Sequence, residues 1–340
     1  ISIMILVTGG LGFIGAHTVV ALLDKNHKVL IVDDLSNSSI SVLAGIVSAS
    51  GKSPVFEQFD LKNMQKTEQL FRDYTIDGII HFAAYKAVGE STEKPLDYYE
   101  NNITPLINLL LCAKEQPGQI PFIFSSSCTV YGEANTLPIS ENEPIKMAMS
   151  PYGNTKQIGE EIVRDATNVY ANIPSISLRY FNPIGAHSSA KIGELPLGVP
   201  QNLVPFITQT AAGIRESLTV FGNDYPTHDG TCIRDYIHVE DLAQAHIAAL
   251  EFIQQSNQPH FYDVFNLGTG KGQSVLDIIH AFERVSGQSL PYVIGKRRKG
   301  DVVAAYAETT KAEKMLDWKA TRTIDEALYS AWKWEQQLKR

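Results

Sequence analysis

Met4-Ile5-Leu6-Val7-Thr8 runs directly into Gly9-Gly10-Leu11-Gly12-Phe13-Ile14-Gly15, and this stretch decides the fold. A short apolar run that stops at clustered glycines and resumes with helical periodicity reads as a strand, a tight turn and the start of a helix. Glycines at such a turn let backbone N–H groups approach a pyrophosphate at the helix N-terminus. Gly9, Gly12 and Gly15, with Phe13 and Ile14 between them, are therefore candidate dinucleotide contacts. The next apolar run, 29–32, ends at Asp33, about 20 residues beyond the glycines, where a carboxylate accepts hydrogen bonds from adenosine ribose hydroxyls and repels a 2′-phosphate. The pair favours NAD over NADP.

Outward from this unit the same pattern repeats. Apolar runs at 4–7, 29–32, 55–59, 78–83, 121–125 and 175–181 alternate with helical stretches. Continuous hydrophobicity such as Ile79-Ile80-His81-Phe82-Ala83 implies strands covered on both faces, the mark of a parallel sheet between helices. The expected class is α/β: a Rossmann-type doubly wound sheet over residues 1–182. Asp60, closing the third run, is read either as an adenine-edge contact or as a helix N-cap. From 183 to 205 glycine and proline break any regular element, which puts a boundary there. Residues 183–340, with helices expected at 203–213, after 239, at 275–285 and at 324–338, form a smaller mixed α/β substrate domain, some segments of which return to the first.

The chain has 340 residues, 44% hydrophobic and 19% charged, with a formal net charge of −8. These values suit one large or two medium globular domains and offer no basic face to nucleic acid. No apolar run approaches the roughly 18 residues of a membrane span, and the apolar opening lacks a basic flank, so no membrane or secretory role is expected. The three cysteines, Cys112, Cys128 and Cys232, form neither a disulfide framework nor metal-ligand spacing, as suits a cytoplasmic protein without a metal. Lys296-Arg297-Arg298-Lys299 is the one cationic cluster.

Phe122-Ile123-Phe124 leads into Ser125-Ser126-Ser127 at a strand's C-terminal end, where open α/β sheets bind ligands. Ser150-Pro151 supplies an N-cap and a first-turn proline for a helix carrying Tyr152 and Lys156 on one face. A free tyrosine titrates near about 10; a neighbouring ammonium and a positive nicotinamide are expected to favour its phenolate. Ser127, Tyr152 and Lys156 are the candidate catalytic residues.

The spacing Gly9-x-x-Gly12-x-x-Gly15, the serines and Tyr152-x-x-x-Lys156 resemble the short-chain dehydrogenases and reductases. Five segments narrow this: Leu6–Gly10, His81–Ser91 (HFAAYKAVGES), Ser125–Gly132 (SSSCTVYG), Arg179–His187 (RYFNPIGAH) and Phe221–Thr227 (FGNDYPT) resemble the UDP-galactose 4-epimerase family, over essentially the whole chain. The resemblance implies a redox-neutral inversion at C4 of a UDP-sugar: Tyr152 as base, hydride lent to a tightly bound NAD and recovered, a 4-keto sugar that turns over between the two transfers, Ser127 on the C4 oxygen and Lys156 on the nicotinamide ribose. It further implies cofactor contacts at Phe13, Ile14, Asp33, Asp34, Asn37, Ser38, Asp60, Leu61, Phe82, Ala83, Lys86, Asn101 and Phe181. The nucleotide-sugar contacts it implies are Lys86, Asn182, Asn202, Leu203, Thr219, Val220, Phe221, Arg234, Arg298 and Asp301, with Arg234 and Arg298 clamping the diphosphate and Arg297 and Lys299 facing solvent. Ala305, where a bulky residue would exclude acetamido sugars, implies that UDP-N-acetylglucosamine and UDP-N-acetylgalactosamine are also substrates. A homodimer through the Tyr152 helix and the one at 106–114 is implied too. Two rivals stand beside this reading. A nucleotide-sugar 4,6-dehydratase or decarboxylase shares the fold, but dehydratases carry Asp-Glu after the hydroxyl residue, where this chain has Cys128-Thr129. A non-catalytic NAD-sensing regulator typically lacks the Tyr/Lys pair.

Overall fold

A computed structural model describes residues 3–256, 258–298 and 301–338; Lys299, expected to face solvent, lies outside the described residues. Strands β1 (Met4–Thr8), β2 (Lys28–Asp33), β3 (Val55–Gln58), β4 (Gly78–His81), β5 (Phe122–Ser127) and β6 (Ser175–Tyr180) alternate with helices α1 (Phe13–Asp24), α2 (Ser41–Ser50), α3 (Met64–Asp73), α4 (Val88–Glu93), α5 (Pro95–Lys114) and α6 (Pro151–Val169). Beyond them come β7 (Asn182–Ile184), α7 (Leu203–Ala211), β8 (Leu218–Phe221), β9 (Ile233–His238), α8 (Val239–Ser256), β10 (Tyr262–Leu267), β11 (Gly272–Ser274), α9 (Val275–Ser286), β12 (Tyr292–Gly295), β13 (Ala304–Ala305), α10 (Thr310–Met315) and α11 (Ile324–Gln337).

The large sheet has seven strands in the order β10-β6-β5-β4-β1-β2-β3, and every neighbouring pair is parallel. Chain order reverses between β1 and β4, so a crevice opens at their carboxyl ends. One core packs α1 and α8 on one face, through Val19, Leu22, Leu242 and Leu250; the other packs α3, α5 and α6 through Leu70, Leu106, Leu109 and Val163. The seventh strand, β10, was not among the strands expected from the sequence. It comes from beyond residue 183 with α8, and Ala312, Leu316 and Trp318 around α10 join the same core. The segment after Asn182, read as irregular up to the helix expected at 203, opens within the short strand β7. β9 pairs with β7 and β13 in parallel and with β11 antiparallel, β8 pairs with β12, and α7, α9 and α11 cover a separate core around Ile207, Phe282, Leu328 and Trp332. No described helix is long and apolar enough to cross a membrane.

Helix α6 carries Tyr152 and Lys156, so its seating on the sheet decides where both side chains stand. Ser150 caps it, its Oγ accepting from Gly153 N–H at 3.1 Å, and Pro151 fills the first turn, as the sequence indicates. Gly159 lets the helix lie flat on β5: a Cβ there would come within 2.5 Å of the Phe124 ring. One position further on, Glu160 meets Arg179 of β6 in a buried bidentate pair, at 2.8 Å to Nε and 2.6 Å to Nη2. Ser126 Oγ also donates to Glu160, at 2.5 Å. Arg179 continues to the Tyr131 hydroxyl at 3.0 Å, which donates to Asn266 of β10 at 2.6 Å. Every charge and polar atom of this chain of contacts has a partner, which is what makes burial of two charges tolerable.

Glu160→Gln leaves the Arg179 charge buried without its counter-ion and should lower the unfolding free energy by about 3 to 5 kcal/mol. Glu251→Gln, which breaks the exposed Lys25–Glu251 pair, should cost under about 1 kcal/mol in the same urea titration. Equal losses would refute the assignment of Glu160 as an anchor. Separately, burial depresses His81, against Phe122 and Phe124, to about 3, and His246, between Phe82 and Tyr180, to about 4. Both stay neutral in the folded protein while the unfolded chain takes up protons below about 6.5. Their contribution is complete above that pH and is lost as pH falls toward the folded values. Each should cost about 2 kcal/mol between pH 7 and pH 5. The urea midpoint should fall over that interval, and His246→Leu should flatten the dependence; an unchanged slope would contradict it.

Candidate active site

The crevice between β1 and β4 begins at Gly9, held at φ +67°, a left-handed conformation that glycine adopts freely. A Cβ at Gly9 would lie 2.8 Å from Ala83 N, so the loops after β1 and β4 touch. Gly12 is the N-cap of α1 and offers no side-chain acceptor, which leaves the first-turn N–H groups facing the cleft. Asp33 shapes this loop directly. Its Oδ2 accepts from Leu11 N–H at 3.0 Å, and its Oδ1 from Leu35 N–H at 3.0 Å and Ser38 Oγ at 2.7 Å. Asp60 accepts from Lys62 N–H at 2.8 Å, while the cap of α3 is Asn63, whose Oδ1 takes Lys66 N–H at 3.1 Å. The N-cap reading of Asp60 is thereby corrected.

Of the positions read as cofactor contacts, all except Ser127 and Phe181 line one cleft of about 910 Å³, among them Asp34, Asn37, Leu61, Phe82, Lys86, Asn101, Tyr152 and Lys156. That volume lies at the large end of small-molecule sites. Phe181 is buried instead in a cluster with Val130, Tyr131, Ile139 and Ala305. Ser127 is nearly buried; Thr129 N–H donates to its Oγ at 3.2 Å, and its hydroxyl is the hydrogen-bonding neighbour of the Tyr152 phenol. Lys156 Nζ donates to Ser125 O at 2.6 Å and lies 6.0 Å from the centre of the Tyr152 ring.

The protein's own groups set the electrostatics of this pair. Enclosure at the head of α6 pushes Tyr152 up to about 12, with the Ser127 hydrogen bond acting in the opposite direction but losing. The same burial pulls Lys156 down to about 8, opposed by the charge of Glu160. With only the protein's own groups present, the ammonium does not turn Tyr152 into a phenolate: its hydrogen bond goes to Ser125, and burial outweighs it.

The second part contributes a cationic group. Asp301 accepts from Arg298 at 2.9 and 3.2 Å and pairs with Arg234 Nη2 at 3.5 Å, so two arginines from distant segments converge on one carboxylate. Arg298 also lies over the Phe221 ring. Arg297 turns away, paired with Asp224 at 2.7 Å and stacked on Tyr225. Thr219 and Phe221 flank Val220 on β8, but the Val220 side chain is buried in the α7/α9/α11 core, as Leu203 largely is, leaving backbone as what Val220 offers a ligand. Asn182 opens β7. Ala305 pairs with Arg234 across β13–β9 and joins the Phe181 cluster beside Cys128. Tyr306 lies against Gly272. Sequence reading missed Glu194, which accepts from both Lys86 and Asn202. A lone acid in a glycine- and proline-rich segment carries no pattern.

The family model described as GDP-mannose 4,6 dehydratase matches residues 6–330. UDP-glucose 4-epimerase uge1 of Schizosaccharomyces pombe is 47% identical over 338 residues, 98% of this chain and 94% of that protein. Among solved structures, UDP-glucose-4-epimerase of Stenotrophomonas maltophila with bound NAD and formylated UDP-arabinopyranose superimposes with a TM-score of 0.94 at 44% identity, covering 98% of both chains. UDP-glucose 4-epimerase from Bifidobacterium longum in complex with NAD+ and UDP gives 0.94 at 43% identity, again covering 98% of both. With the glycine turn, the serine-ended β5 and the Tyr152/Lys156 helix brought to one cleft, and with this likeness running the length of the chain, the protein belongs to the UDP-glucose 4-epimerase family of isomerases.

Proposed function

We propose that this protein interconverts UDP-glucose and UDP-galactose by inverting C4 through a 4-keto intermediate, with NAD retained in the cleft. One observation carries the reading: the uncapped N-terminus of α1 and the Tyr152/Lys156 pair line a single cleft, as a dinucleotide and a reacting sugar require. The residues present fit the cofactor. Free N–H groups of α1 would hold the pyrophosphate, Asp33 and Asp34 a ribose, and Lys156 the nicotinamide ribose, all of them residues that line the cleft. Oxidised NAD bound there supplies a hydride acceptor for C4 and a positive charge that offsets the burial of Tyr152.

Tyr152 then removes the proton of the 4-hydroxyl and returns it after inversion, as a general base and acid. Ser127 donates to the C4 oxygen and steadies the ketone, its own position fixed by Thr129 N–H. Arg234 and Arg298 share their charge with the diphosphate in place of part of their contact with Asp301, leaving the sugar free to present either face. A dehydratase needs an acid after Ser127 to eliminate water; Cys128 stands there, its thiol pushed up to about 11 by burial. Leu96, Ile107 and Leu111 of α5 and Val169 of α6 are exposed apolar residues, which supports a homodimer through these helices.

Ala305 is the observation behind broader specificity. It packs with Phe181 and Cys128, the latter being the residue after Ser127, and the neighbouring Tyr306 ring lies against Gly272. The acetylated pair, UDP-N-acetylglucosamine and UDP-N-acetylgalactosamine, belongs in the substrate range on this ground.

The purified protein mixed with UDP-galactose and no added cofactor should form UDP-glucose. Tyr152→Phe should lower the rate by about 10²- to 10⁴-fold while retaining NAD releasable on denaturation; a smaller loss would demote Tyr152. Ala305→Tyr should abolish turnover of UDP-N-acetylgalactosamine and spare UDP-galactose. A wild-type protein inert toward the acetylated sugar would overturn the wider range.

A further inference from the structure

Lys86 Nζ and Asn202 Nδ2 both donate to a single oxygen, Glu194 Oε1, at 3.4 and 2.5 Å. The three come from different places: Lys86 from the loop between β4 and α4, Asn202 from the residue before α7, and Glu194 from the long segment between β7 and α7. All line the cleft. One carboxylate therefore ties the loop after β4 to the residue that leads into α7. The segment bearing it is fixed independently of that tie. Trp334 Nε1 on α11 donates to Glu194 O at 2.9 Å, and a Cβ on Gly193 would come within 2.4 Å of the Trp334 ring. The Glu194 side chain is 13% exposed against 51% for Lys86, so an anchored carboxylate faces a cation on a flexible stem.

We propose that Glu194 is a positioning residue for nucleotide-sugar binding: its carboxylate holds Lys86 and Asn202 together in the cleft and gives up both donors when a nucleoside diphosphate enters. The inference rests on the reading of Lys86 and Asn202 as nucleotide-sugar contacts. Two anions cannot share these donors on equal terms, because each negative charge makes the potential that the other must enter more negative. Binding is then an exchange of partners, and its affinity is set below what Lys86 and Asn202 alone would give.

The test is calorimetric titration of UDP into the NAD-loaded protein. Glu194→Gln keeps the shape and an acceptor for Asn202 but loses the charge, and the Trp334 contact is to main chain, so the fold is unaffected. This variant should bind UDP about two- to fivefold tighter, the range for a partly exposed ion pair, and in a Lys86→Met background the same change should gain less than about twofold. Glu194→Ala serves as a second variant and should also bind more tightly. A merely structural Glu194 would weaken binding on substitution. Weaker or unchanged affinity in both Glu194 variants, with Lys86→Met still weakening UDP binding, would overturn the inference alone. Should Lys86→Met leave UDP affinity unchanged, or the wild type take up no UDP, the underlying reading of the site falls and the inference with it.

Discussion

The Glu160–Arg179 pair is the contact on which the rest of the site depends. Sealed between α6 and the sheet, it joins the helix that carries Tyr152 and Lys156 to β6, and through Tyr131 and Asn266 to β10. A purely apolar contact would hold the helix against the sheet without fixing how far it slides, because apolar packing is non-directional. A bidentate pair has one geometry. The three serines ending β5 take different duties within that frame: Ser125 offers its carbonyl to Lys156, Ser126 its hydroxyl to Glu160, and Ser127 its hydroxyl toward Tyr152. Strand alternation makes this division possible, since Ser126 points to the opposite face from its neighbours.

An acidic protein that takes an acidic ligand needs cations that are neither scattered nor left unpaired. With a net charge of −8, this chain places Arg234 and Arg298 on Asp301 and, in the cleft, Lys86 on Glu194, each cation already held by a carboxylate. Such pairs are worth little to stability when partly exposed. Their value lies in orientation: the cations wait in position, and the ligand replaces part of an existing contact.

Much of this was legible in the sequence, and the limits have physical causes. The glycine turn, the serine-ended strand and the Tyr152/Lys156 spacing are local patterns, because each depends on residues within one turn or one strand end. The capped start of α6 was readable for the same reason. β10 was not, because Asp263 and Asn266 interrupt its apolar run and its partner β6 lies far away in sequence. Glu160 and Arg179 read as ordinary charged residues; only the fold shows that both are sealed from water. The enclosure of Tyr152, which pushes its phenol up in the absence of other charges, was not legible because residue spacing reports neighbours but not burial. The glycine- and proline-rich segment that starts at 183 concealed most of the short strand β7 and, beyond it, Glu194.

The central claim is that hydride leaves C4 of the sugar and returns to the same carbon inside a closed site, with Tyr152 moving only the hydroxyl proton. The direct measurement uses UDP-galactose carrying deuterium at C4, converted in ordinary water with no added cofactor. The account predicts UDP-glucose that keeps its deuterium at C4. Product with the label lost to solvent would contradict it, since C4 would then be inverted by proton exchange and not by hydride transfer.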